Sequence, residues 1–72
     1  MSPEQIGSVI RLRRRQLRLR QQDLGDLCGV GRRFIGDLEA GSTGRDPGLH
    51  KVLEVCTVLG LELTVAPRAP ES

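Results

Sequence analysis

Arginine is the residue whose number and placement point to chemistry in this sequence. Residues 1–33 contain eight arginines and three acidic residues, a net charge of +5, whereas residues 34–72 contain three basic and six acidic residues, a net charge of −3. A guanidinium group binds phosphate and carries a planar fork of donors that matches the two acceptors on the edge of guanine. The basic half therefore favours a polyanion as one partner, and the acidic half favours a second, different partner. The alternative is that the arginines only keep helix surfaces soluble.

No group of residues in the sequence has the pattern of a catalytic or metal site. His50 is the only histidine, and no serine or cysteine stands at a recognisable nucleophile position. Cys28 and Cys56 lack the spacing of a zinc site and are predicted to be small core residues of a reduced, cytoplasmic protein. The glycines at 41–44 lack the lysine of a phosphate-binding loop. With no signal peptide and no membrane-spanning run, we expect a cytoplasmic protein that is not an enzyme and needs no cofactor or metal.

The first helix has a strong start signal in Ser2, Pro3 and Gln5. A serine cap, a proline at the first helical position and a glutamine three residues after the serine are typical of a helix N-terminus. The spacing predicts a helix from about Pro3 to about Arg18. Its inward stripe comprises Ile6, Val9, Ile10, Arg13 or Arg14, and Leu17.

Two further short helices are predicted over Gln21–Cys28 and Arg32–Leu38. Leu24 and Leu27 face inward in the first of them, and Gly29 ends it as a left-handed residue. Two helices joined by a turn of about three or four residues form a helix-turn-helix.

A fourth helix follows the loop at residues 40–45. Asp46 and Pro47 are predicted to cap it, and Gly60 is predicted to end it. One apolar face is formed by Leu49, Val52, Leu53, Cys56 and Leu59.

After Gly60 the hydrophobic period changes from helical to alternating. Leu61, Leu63 and Val65 alternate with polar residues, which predicts a short strand at residues 61–66 closed by Pro67. A single strand in a helical chain needs a partner for its amides and carbonyls, and a second copy of the chain supplies one. The alternative is an extended segment lying on the helical core. Residues 67–72 are predicted to be a disordered tail.

The sequence from residue 17 to residue 41, LRLRQQDLGDLCGVGRRFIGDLEAG, resembles the core of the lambda-repressor and Cro-like (XRE) family of regulators. The resemblance continues upstream through Ile6-Gly7, Ile10-Arg11 and Arg14 and downstream through Leu59-Gly60, so it covers about residues 3–60. It implies a compact all-α domain of four to five helices over residues 1–60. In that family helix 2 crosses the DNA backbone and helix 3 lies in the major groove.

The resemblance also implies roles for individual residues. The base-reading positions of the family correspond to Gly31, Arg32, Arg33, Phe34 and Asp37, of which Arg32 and Arg33 are the best candidates. Phe34 either touches a thymine methyl group or folds back into the core. Contacts to the DNA backbone are expected from Arg11, Arg20, Gln21 and Arg45, while Arg13, Arg15 and Arg18 face phosphates or solvent. Arg14 and Glu39 match a partly buried ion pair that ties helix 1 to helix 3.

The extended segment after the last helix is similar to that of HipB-type antitoxins. In that group the strand pairs across a homodimer, the dimer binds a palindromic operator on double-stranded DNA, and a HipA-type serine/threonine kinase toxin docks on its flank. The resemblance implies a nucleoid-associated bacterial repressor and antitoxin whose dimer is held by Leu61, Leu63 and Val65. Two alternatives are a free-standing or phage-type regulator without a toxin, and a protein-interaction module that has lost DNA binding.

Overall fold

The computed structural model describes residues 2–42, 47–65 and 67, and this part of the chain contains four helices and no strand. They are α1 (Pro3–Gln16), α2 (Gln21–Cys28), α3 (Arg32–Ala40) and α4 (Leu49–Val58). α3 packs against α1 and α2, and α4 packs against α2. The predicted all-α class and the helix-turn-helix arrangement are therefore confirmed. None of these helices has the length and apolarity needed to cross a membrane.

The predicted start of α1 is confirmed by a reciprocal pair of hydrogen bonds. The hydroxyl of Ser2 accepts from the backbone N–H of Gln5 at 3.2 Å, and the side-chain oxygen of Gln5 accepts from the N–H of Ser2 at 2.7 Å. α1 ends at Gln16, two residues earlier than predicted, because Arg18 adopts a left-handed backbone conformation with φ 59°. The N–H of Leu19 then bonds back to the carbonyl of Arg14 and turns the chain toward α2.

All four helices contribute side chains to one small apolar core. Its buried members are Ile10, Leu24, Ile35, Leu38, Val55 and Leu59. Five residues predicted to face inward lie on the surface instead, with 41–65% of their area exposed: Val9, Leu17, Leu27, Leu49 and Leu53. Helical periodicity predicts which face of each helix is apolar. In so small a protein the neighbouring helices cover only a narrow part of each apolar face, so the rest stays exposed.

The turn between α2 and α3 is short and depends on one glycine. Gly29 ends α2, as predicted, with φ 71°, a conformation that costs glycine little. The N–H of Val30 bonds to the carbonyl of Gly25 at 2.9 Å and closes the turn. Gly31 is in the extended conformation and is the N-cap residue of α3.

α4 begins later than predicted, and its end is held by an arginine of α1. Gly48, with φ 89°, is its N-cap residue, so the prediction that Asp46 and Pro47 cap this helix is wrong for Pro47, while Asp46 lies outside the described residues. At the other end, Nε of Arg13 donates to the carbonyl of Leu59 at 2.9 Å. The sequence left Arg13 open between the inward stripe of α1 and a position facing phosphate or solvent, and in the structure its side chain reaches the end of α4.

Residues 61–65 form neither helix nor strand in the single chain. The N–H of Leu61 bonds to the carbonyl of Cys56 at 2.8 Å. Leu61 and Leu63 line a small apolar pocket with residues of α1 and α4, namely Ile6, Val9, Ile10 and Cys56. Of the two alternatives, the single chain thus has the extended segment lying on the core. The predicted tail at 67–72 lies outside the described residues except for Pro67.

A buried ion pair joins α1 to the end of α3. Nε of Arg14 donates to Oε2 of Glu39 at 2.6 Å, and a second guanidinium nitrogen donates to Oε1 at 3.0 Å. The third contact of Arg14 is the carbonyl of Leu19, at 2.8 Å. The hydrogen bond to Glu39 raises the pKa of Arg14 above its already high usual value. The two helices lie so close that a β-carbon on Gly7 would collide with the carbonyl oxygen of Glu39.

Removing one partner of this pair should cost more than removing both. We expect Glu39→Ala to destabilise the fold by about 3 kcal/mol, because it leaves the charge of Arg14 buried and unpaired. The double variant Arg14→Met with Glu39→Leu should be clearly more stable than the summed losses of the single variants Arg14→Met and Glu39→Leu imply. Urea unfolding followed by circular dichroism measures each value. Strictly additive losses would show that the two charges do not depend on each other.

The left-handed residue between α1 and α2 offers a second test of the fold. We expect Arg18→Gly to stabilise the protein by on the order of 1 kcal/mol, because glycine adopts positive φ without the steric cost that other residues carry. Thermal unfolding should show a higher Tm. Arg18→Ala is the matched control, since alanine keeps the backbone cost and should bring no such gain. A gain of equal size in both variants would mean that the arginine side chain, and not φ, is the source of the strain.

Candidate nucleic-acid interface

The N-terminal ends of α2 and α3 enclose a concave, polar surface. Two adjoining hollows meet there, one lined by Arg14, Arg20, Gln21, Gln22 and Arg32, the other by Gln21, Arg32, Arg33, Gly36 and Asp37. They share Gln21 and Arg32, so they form one continuous depression, which we call the basic groove. Four of its eight residues are arginines, and the groove contains most of the residues expected to contact DNA.

Gln21 links the basic groove to the buried ion pair beneath it. Its amide nitrogen donates to Oε1 of Glu39 at 3.3 Å, and its side chain lies against Gly36 of α3. The carboxylate of Glu39 therefore accepts hydrogen bonds from Arg14 of α1 and from Gln21 of α2. The three helices are held in register at the point where the groove forms.

Arg20 is the exposed residue that precedes α2. Its backbone N–H donates to the carboxylate of Asp23 at 2.9 Å, and its Nε contacts the same carboxylate oxygen at 3.2 Å. These hydrogen bonds lower the pKa of Asp23 and raise that of Arg20. Arg20 has no side-chain oxygen to cap α2, but the acid three residues later accepts from the backbone N–H of Arg20, a signal that could have been read from the capping pattern.

The start of α3 carries two adjacent, exposed arginines. Arg32 and Arg33 are its first two residues, Gly31 offers no capping side chain, and the first turn contains no acid. Positive charge at a helix N-terminus is disfavoured by the helix dipole, by about 0.3–1 kcal/mol for each charge. Nε of Arg33 lies 4.0 Å from Oδ2 of Asp37, whereas Arg32 forms no ion pair with any described residue. An anion docked at this end of α3 would offset the unfavourable charge.

Phe34 lies beside these arginines but turns inward. It is half-buried and packs against the core, and Nζ of Lys51 on α4 lies 5.6 Å from the centre of its ring. This placement favours the core alternative over a contact with a thymine methyl group. Lys51 had no sequence signal, because the cation–π contact joins two helices that are far apart along the chain.

Arg11, another residue expected to contact DNA, lies outside the basic groove. Arg11 is exposed on α1 and lines neither hollow, and Arg45 falls among the residues that the structure does not describe. Across residues 2–42, 47–65 and 67, no three His, Cys, Asp or Glu side chains come together as a metal site. The groove thus brings together Arg20, Gln21, Arg32, Arg33 and Asp37 on one surface.

Comparison with known proteins agrees with this geometry. Residues 10–65 match the helix-turn-helix family HTH_3, an XRE-type domain. The chain is also 42% identical over 64 residues to an uncharacterized HTH-type transcriptional regulator, y4mF, of Sinorhizobium fredii (strain NBRC 101917 / NGR234), an alignment that spans 89% of this chain and 82% of that protein. Because the matched segment contains α2, the glycine turn and α3 in full, the chain belongs to the HTH_3 helix-turn-helix family of DNA-binding regulators.

Proposed function

We propose that this protein is a sequence-specific transcriptional repressor that reads bases with Arg32 and Arg33. The observation that carries the proposal is the pair of exposed arginines on the first turn of α3, where no side chain caps the helix. Their guanidinium groups match the O6 and N7 acceptors of guanine in the major groove. Nothing in the described chain neutralises Arg32, so the surface is suited to a polyanionic partner.

In this arrangement α2 lies across the sugar-phosphate backbone and α3 enters the major groove. Gln21 and Arg20 stand at the start of α2, where backbone N–H groups and the helix dipole favour a phosphate. Arg11 would add a phosphate contact from α1. Gly31 has open space around its α-carbon, which lets the DNA approach the start of α3 closely.

Substitution of the two arginines tests the proposal directly. A preferred duplex is first selected from a randomised pool with the unaltered protein. Arg32→Ala and Arg33→Ala should each weaken binding to that duplex about tenfold or more and change the preferred base at one position, because a bidentate contact gives about 1–3 kcal/mol of discrimination. Fluorescence anisotropy at two salt concentrations measures the affinities.

Arg15→Ala is the matched control, since Arg15 is exposed on α1 and lines neither hollow of the basic groove. It should leave the base preference unchanged and alter only the dependence on salt, if it alters anything. If neither Arg32→Ala nor Arg33→Ala affects binding, the protein-interaction module becomes the better interpretation.

We further propose that the protein acts as a homodimer joined through residues 61–65. Within the described chain, none of the backbone N–H groups of residues 62–65 donates a hydrogen bond, so this edge is open to a partner. Leu61 and Leu63 are half-buried, Glu62 and Thr64 are exposed, and Val65 is 95% exposed. A dimer with two basic grooves would bind a palindromic operator whose half-sites lie about 34–36 Å apart.

Thr64→Pro tests this pairing without removing any residue from the core. In a paired strand the N–H groups of successive residues point to opposite sides. The N–H of Leu61 points toward its own chain, where it bonds to the carbonyl of Cys56. The N–H of Thr64, three residues later, would therefore point toward the partner strand. Proline removes this donor, and we expect a monomer that binds the palindrome much more weakly. Thr64→Ala keeps the donor and should remain dimeric. Sedimentation equilibrium gives the masses, and a dimeric Thr64→Pro variant would rule out pairing through this edge.

The proposed antitoxin role extends the repressor function to a protein partner. A helix-turn-helix domain followed at once by an extended segment resembles HipB-type antitoxins, which restrain a HipA-type serine/threonine kinase. The product of the neighbouring gene distinguishes an antitoxin from a free-standing regulator. A kinase-like protein that co-purifies with this chain supports the antitoxin, whereas a neighbour of another kind favours a free-standing regulator.

A further inference from the structure

We propose that Asp37 is the residue that sets how strictly Arg33 discriminates between bases. Asp37 would position the Arg33 guanidinium and repel incorrect sequences. It would thus lower the affinity for DNA in general and raise the ratio of the affinities for correct and incorrect sites. This inference rests on the proposed function and adds a division of roles between the two arginines of α3.

The geometry distinguishes Arg33 from Arg32. Arg33 and Asp37 are four residues apart, so they lie on the same face of α3, and Nε of Arg33 is 4.0 Å from Oδ2 of Asp37. The side chain of Arg33 is 96% exposed and that of Asp37 is 50% exposed. An otherwise free guanidinium therefore has one acidic neighbour within reach. Arg32 has no such neighbour in the described chain, so it is free to move between a phosphate and a base.

A carboxylate in the basic groove is unfavourable for binding DNA of arbitrary sequence. It is close to the approaching phosphates and repels them, and an ionised carboxylate can only accept hydrogen bonds. In the major groove the available donors are N4 of cytosine and N6 of adenine, whereas guanine and the O4 of thymine present acceptors. Asp37 therefore favours cytosine or adenine beside it and opposes guanine and thymine.

The spacing of the pair sets the expected distance between the two bases. Four residues of an α-helix rise about 6 Å, and successive bases of one strand are about 3.4 Å apart. A guanine read by Arg33 should thus be followed within about two base pairs by a cytosine or an adenine facing Asp37.

The experiment compares four proteins on two duplexes. The duplex selected by the unaltered protein and a scrambled duplex of equal length are titrated with the unaltered protein, Asp37→Asn, Arg33→Lys and Asp26→Asn. Asp26 is the matched control because it is an exposed acid on α2 that lines neither hollow, and its hydrogen bond from Gln22 can be kept by asparagine. Circular dichroism establishes that all four are folded.

We expect Asp37→Asn to bind the scrambled duplex several-fold more tightly and to reduce the ratio of the two affinities about tenfold. Arg33→Lys should also reduce the ratio, because lysine keeps the charge and loses the fork. Asp26→Asn removes the same charge and should leave the ratio unchanged. Base preferences determined for Asp37→Asn should relax at the two positions assigned to the pair and nowhere else.

Two results would overturn the inference in distinguishable ways. If Asp37→Asn keeps the ratio and the base preferences of the unaltered protein, Asp37 has no role in specificity and the proposed function stands. If the unaltered protein binds both duplexes equally in every selection, sequence-specific reading fails, and the role of Asp37 fails with it.

Discussion

The buried contact between Arg14 and Glu39 is the interaction on which the arrangement of the helices depends. Its two side chains are only 10% and 3% exposed, yet the described chain leaves no buried side-chain polar atom without a partner. Such a pair contributes little net stability compared with apolar residues of the same size, because both charges lose their hydration. Its geometry is strict, however, since a guanidinium fork meets a carboxylate in one plane. The pair therefore acts mainly on the relative position of α1 and α3.

The same carboxylate connects the scaffold to the surface that we propose for DNA. Glu39 also accepts from Gln21, and Gln21 lines both hollows of the basic groove. A shift of α3 along α1 would move Arg32 and Arg33 relative to Arg20 at the same time. With a core of six buried apolar side chains, the chain has few other contacts that could resist such a shift. Polar contacts thus fix the relative positions of helices that a larger protein would fix by apolar packing.

Charge is distributed unevenly between the helix ends of this protein. α2 begins with the carboxylate of Asp23 folded back on Arg20, which suits the helix dipole, whereas α3 begins with two arginines and no cap. Local stability would favour an acid at the start of α3 as well. Helix termini that oppose their own dipole are places where binding a partner of opposite charge relieves an unfavourable field. This contrast between neighbouring helices is what distinguishes the basic groove from the other arginine-rich surfaces of the chain.

Local signals in the sequence determined the helices and the turn between α2 and α3. The capping pair Ser2 and Gln5 and the left-handed Gly29 act through hydrogen bonds and backbone sterics within a few residues, so they could be predicted without knowledge of the fold. The family resemblance likewise pointed to the residues that line the basic groove. Only the tertiary structure decided that Arg14 and not Arg13 is buried, that Arg13 caps α4, that Phe34 turns inward under Lys51, and that Leu27, Leu49 and Leu53 stay exposed. Each of these depends on which helices meet and how much of each apolar stripe they cover, and periodicity along one helix carries no information about the position of the next.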